Sequence, residues 1–171
     1  MGTSKSTGQA LIITHIFPGR YDSLSKIDKF IREVAQQAEM SDFVIYTVEM
    51  AVDEACSNII EHAYQGEDKG NITCTCEVDE KGLTIILLDN GRPFNPELIT
   101  PPDLSTNLEE RESHGLGLFF IQKWMDRVEF EVMPNNANRL TLFKQCVTPP
   151  EHDDDPPSQP EGSPPEIEEK P

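Results

Sequence analysis

Residues 71–89, NITCTCEVDEKGLTIILLD, restrict the fold more than any other stretch. Residues 71–78 alternate polar and apolar, 79–82 (Asp-Glu-Lys-Gly) form a turn, and 83–89 are an apolar strand. That pattern predicts a β-hairpin. A hairpin is not stable alone, so other elements must extend and cover it. Residues 10–17, ALIITHIF, read as a further strand, and residues 127–133 and 139–146 flank the loop PNNAN as two more. Strands that arrive in hairpins build a mostly antiparallel sheet. Residues 23–39 place Leu24, Ile27, Phe30, Ile31, Val34 and Ala38 at helical spacing. Ser41 and Asp42 can cap a second helix from about Phe43 to Ala63, and a third is expected over about 116–126. Helices with one apolar face cover one side of a sheet. The expected class is α/β of the α+β kind: a two-layer sandwich with three helices on one face.

The 171 residues suit one domain with its own core. We expect it over residues 9–147, after a flexible N-terminus at 1–8. The formal charge of −17 is uneven. Residues 149–171 hold eight prolines and eight acidic residues against one Lys. A segment with so little apolar surface cannot offset the entropy of ordering, so 148–171 is expected to be a disordered Pro/acid-rich tail. The acidic balance argues against direct nucleic-acid binding, which needs a basic footprint. No apolar run is long enough to span a membrane. The N-terminus lacks a secretory layout, so a cytoplasmic location is expected. Cys56, Cys74, Cys76 and Cys146 have no metal-ligand spacing and read as reduced, mostly buried thiols.

Three local patterns carry chemistry. On the second helix, Val44, Val48, Ala51, Val52, Ala55, Cys56, Ile59, Ile60 and Ala63 form a broad apolar face. Glu54, Asn58 and His62 run along its edge at every fourth residue. Polar neighbours at i and i+4 can simply bond one another, which needs no function. Next, LLDNGRPFNP (87–96) ends an apolar strand in a carboxylate, Asp89, followed by Gly91. It is good turn chemistry, and it can also face a pocket and accept a hydrogen bond from a ligand amino group. Last, SHGLGLFFIQKWMDRV (113–128) sets Gly115 and Gly117 before an apolar helix. Free N–H groups at a helix start attract phosphate. Neither a P-loop nor a dinucleotide fingerprint is present, since Phe120 fills the third glycine position. Residues 92–114 form a long polar loop of the kind that serves as a lid or stays disordered.

In this order the motifs resemble the GHKL, or Bergerat-fold, ATP-binding family, and within it the anti-sigma-factor serine kinases. VDEACSNIIEHAY, DNGRPFNP, LEERESHGLGLFFIQKWMDRVEF and NRLTLFK carry the resemblance, which spans about residues 9–147. It implies ATP and Mg²⁺ as cofactors. By this resemblance Asn58 is the Mg²⁺ ligand and Asp89 reads the adenine amino group. Gly91 allows close approach to the base, with Pro93 and Phe94 beside it. His114, Gly115, Leu116, Gly117 and Leu118 surround the β and γ phosphates. Glu54 is the general base near the γ phosphate. Residues 97–114 become the lid, with Arg111 a candidate phosphate contact, and His62 a candidate at the end of the row. The implied partners are a STAS-type anti-anti-sigma protein carrying the substrate serine, a sigma factor, and a second copy in a homodimer. A non-catalytic ATP-binding module that controls a partner by nucleotide state is the alternative. A histidine-kinase catalytic domain is disfavoured, because no helical region with a phospho-accepting His precedes residue 9.

Overall fold

The computed structural model describes residues 10–93 and 116–146. In chain order these hold β1 (Leu11–Pro18), α1 (Leu24–Gln37), α2 (Asp42–Asn58), β2 (Asn71–Asp79), β3 (Gly82–Asp89), α3 (Leu116–Trp124), β4 (Arg127–Val132) and β5 (Asn138–Gln145). The strands form one sheet in the order β1-β2-β3-β5-β4, and every neighbouring pair is antiparallel. The expected two-layer α+β architecture is borne out. The N-terminal segment 1–9, the whole of the predicted lid at 97–114 and the acidic tail lie outside the described residues.

The register explains the layering. Cys74 pairs with Leu87 and Cys76 with Ile85, while Ile85 pairs with Leu142 and Leu87 with Leu140. These side chains share the helix-facing side and are all buried. Against them pack Ile27, Ile31 and Val34 of α1, Val48, Val52 and Cys56 of α2, and Ile121 of α3. Each large apolar side chain so buried contributes about 1.5–3 kcal/mol. Cys56, Cys74 and Cys76 are free buried thiols and Cys146 is half-buried. Among the described residues no helix covers the opposite sheet face. There Thr14 bonds Thr75 at 2.8 Å, and Ile12 and Ile16 stay exposed. A depression of about 540 Å³ on that face is lined by Thr84, Ile86, Thr141 and several charged residues, and it includes none of the candidate site residues.

Ser41 caps α2 as expected, its hydroxyl accepting from the Val44 N–H at 3.4 Å. The end of α2 differs from the expectation of one α-helix to Ala63. After Asn58 the chain makes a π turn over Ile59–Ala63, marked by the Tyr64 N–H donating to the Ile59 carbonyl at 2.8 Å. The turn is held by tertiary structure. Tyr64 is buried, and its hydroxyl donates to the Asn71 carbonyl and accepts from the Asn90 N–H. The Ala63 carbonyl accepts from the Arg92 N–H at 2.9 Å, so the end of α2 is stitched to the chain leaving β3.

A second unexpected feature lies between α1 and α2. Glu49 is buried and paired with Arg32 at 2.5 Å, yet its Oε1 and the Oδ1 of Asp28 are buried without hydrogen-bond partners among the described residues. Burial, then the nearby Asp53 and Glu49 carboxylates, push Asp28 up to a pKa of about 6, against the pull of Arg32. The folded state therefore binds this proton more tightly than the unfolded chain. Stability falls as pH rises from about 4 through about 6, and the cost is complete above that. Asp28→Asn should remove the cost. We expect a gain on the order of 1 kcal/mol at pH 8, after discounting for solvent screening of a half-exposed group. The gain should vanish below pH ~4, where both side chains are neutral. Urea unfolding of both proteins across that range checks it.

Candidate functional site

The site is built where α2, the C-terminal end of β3 and the start of α3 meet. Glu54 and Asn58 lie one turn apart on α2, both half-buried, and the Asn58 amide Nδ2 donates to Glu54 Oε1 at 3.2 Å. The i, i+4 bond anticipated for such a row is thus present. It also orients the amide, with its nitrogen turned to Glu54. Gly117, in the first turn of α3, rests directly on Glu54. A Cβ added there would overlap the carboxylate, with Cγ of Glu54 only 2.8 Å away. The start of α3 and the Glu54 carboxylate can approach this closely only because residue 117 is glycine. Leu118 beside it is half-buried.

At the other end, Asp89 is 4 % exposed. Its Oδ1 accepts from the Gly91 N–H at 2.8 Å, the Asx turn expected of Asp-Asn-Gly, and from Asn138 Nδ2, also at 2.8 Å. Burial raises the Asp89 carboxyl above the usual carboxylate range, while Asn138 and Gly91 pull it back. Gly91 packs on the π turn: a Cβ there would come within 2.6 Å of the Ala63 backbone. Here the glycine serves close approach to protein. Pro93 is exposed.

Asn138 is the residue that sequence reasoning missed. It pairs with Asp89 across β3 and β5, is buried, and also donates to the Arg92 carbonyl at 3.0 Å. An Asn after a Pro-Asn-Asn turn reads as loop chemistry, and no local signal links it to residue 89. His62 differs from the other two members of the predicted row in its surroundings. It sits inside the π turn and is exposed, whereas Glu54 and Asn58 are half-buried. Phe94, Arg111, His114 and Gly115 lie outside the described residues, as does the side chain of Leu116.

With this geometry in view, likeness to known proteins becomes decisive. Residues 17–144 match the family described as Histidine kinase-like ATPase domain. The chain belongs to that family. Among its relatives is the serine-protein kinase RsbW of Listeria monocytogenes, 34 % identical over 113 residues, 64 % of this chain and 71 % of the relative. The RsbW of Bacillus mycoides is 37 % identical over 101 residues, 57 % of this chain and 61 % of that protein. A crystal structure of the RsbU and RsbW domains of a Mycobacterium tuberculosis protein aligns with a TM-score of 0.57. It covers 83 % of this chain and 34 % of that one, and at 15 % identity it speaks for the fold. The resemblance to GHKL domains of the anti-sigma-factor serine-kinase type is borne out, and this ATPase domain is of the protein-serine kinase class. Among its described residues no helix is long and apolar enough to cross a membrane.

Proposed function

We propose that this domain transfers the γ-phosphate of ATP to a serine of a STAS-type anti-anti-sigma protein, and that it regulates a sigma factor by partner switching. The observation that carries the proposal is the meeting of Glu54, Asn58 and Gly117, with the buried carboxylate of Asp89 beyond the π turn. Each fits its role chemically. The glycine at position 117 lets the first turn of α3 rest directly on Glu54, at a helix start whose first N–H groups have no intrahelical partner. The oriented amide oxygen of Asn58 suits a hard cation. Among the described residues no three His, Cys, Asp or Glu side chains gather as a metal site. One amide ligand suits Mg²⁺, which keeps most of its waters.

When bound, Mg²⁺ would neutralise charge on the phosphate oxygens. The protein's own part is orientation and proton transfer. Asp89 accepts a hydrogen bond from the adenine amino group, and Asn138 holds that carboxylate in line. The N-terminal N–H groups of α3 receive the phosphates. Glu54 takes the proton of the serine hydroxyl as its oxygen bonds to the γ-phosphorus and the bond to the bridging β-phosphate oxygen breaks, releasing ADP. The test is to incubate the full chain with Mg·ATP and a panel of STAS-type proteins and follow intact mass. A gain of one phosphate on a single serine is the expected result. Nucleotide binding without phosphate gain on any STAS-type protein would replace the kinase reading by that of a nucleotide-gated binding module.

A further inference from the structure

The outer surface of α2 carries an apolar stripe that the core does not use. Phe43 is 75 % exposed, Tyr46 58 % and Met50 38 %. Their spacing puts them on one side of the helix, and the next turn of the same line is Glu54. On α3, Phe120 is also exposed, three residues beyond the glycine that rests on Glu54, and it stacks on Trp124 at 5.2 Å. Apolar side chains are thus exposed on both helices that meet at this carboxylate. Contiguous exposed apolar surface marks interaction sites, and aromatic residues and Met are enriched in interfaces.

We propose that the Phe43–Tyr46–Met50 stripe is the docking line for the protein substrate, seating the face that carries the target serine. This rests on the kinase reading of Glu54. The occupant follows from continuity with the site. A serine hydroxyl can reach Glu54 only if its protein lies against the adjoining surface, and this stripe runs into Glu54 along the same helix. Helix rise sets the spacing: Met50 is about 6 Å and Phe43 about 16 Å along the axis from Glu54. The partner should therefore carry an apolar patch beginning about one helical turn from its serine. Asp42 and Asp53 flank the stripe, so basic residues should border that patch.

The test uses the full chain, with Phe43→Ser and Tyr46→Ser singly and together. Both side chains are mostly in water, so the fold and the nucleotide-induced rise in Tm should be unchanged. The readouts are the Kd for the STAS-type protein by calorimetry with Mg·ADP, and the KM and kcat for its phosphorylation. We expect the double variant to raise Kd and KM at least tenfold, with kcat at saturating substrate within twofold of wild type. A short peptide bearing the same serine should be phosphorylated equally by both proteins. Unchanged Kd overturns the proposal. So does loss of a dimer in sedimentation with Kd intact, which would assign the stripe to a second copy. Weakened binding by the variants, with a wild type that transfers no phosphate, would uphold the docking line and reject the kinase reading.

Discussion

In Glu54→Gln, phosphate transfer to the protein serine should fall by about 10²–10⁴-fold, the usual worth of a positioned general base. The amide keeps the shape of the side chain and can still bond Asn58, so nucleotide binding should persist. Glu54 occupies a spot where Asn58 donates to it from one turn below and the first turn of α3 closes over it. Those contacts fix its direction, and a neutral amide in the same position cannot accept a proton. Single-turnover transfer and nucleotide Kd, measured on the same preparation, separate the two effects. Transfer at the wild-type rate would sink the assignment of Glu54 as base.

Gly117→Ala should be almost as damaging to catalysis with one methyl group. The new Cβ would overlap the Glu54 carboxylate, and the flexible carboxylate would yield before the helix backbone does. The fold then survives while the base is displaced. A displacement of about 1 Å at a reacting group costs on the order of 10²-fold in rate. Alanine is also the better helix former, so the Tm of the unliganded protein should not fall appreciably. Combined with Glu54→Gln, Gly117→Ala should add little further loss, because both act through one carboxylate. Additive losses would mean that Gly117 matters through phosphate contact alone.

The sequence and the structure agree where one element carries the information. The β2–β3 hairpin, the apolar face of α2 and the turn after Asp89 are all legible from local periodicity and turn chemistry. Tertiary contacts decide the rest. The π turn after Asn58 depends on Tyr64 reaching Asn71 and on the Ala63 carbonyl reaching Arg92, neither of which a helical wheel contains. For that reason helical spacing does not foresee that His62 sits in a π turn. Asn138 becomes visible only when β5 pairs with β3. Burial of Glu49 and exposure of Phe43 and Tyr46 likewise depend on which side of α2 meets α1 and the sheet. Residue type alone suggests the reverse.

The most direct test of the nucleotide cleft is thermal unfolding of the wild type and Asp89→Asn, each with and without Mg·ATP. Saturation at roughly 100 times the Kd should stabilise the wild type by about 2.7 kcal/mol. The substituted side chain keeps an amide oxygen for Asn138 and the Gly91 N–H but loses the carboxylate offered to an adenine amino group. A rise in Tm for the wild type and none for Asp89→Asn, with matching unliganded curves, is the predicted result. An equal rise in both proteins, or none in either at millimolar nucleotide, would contradict the account.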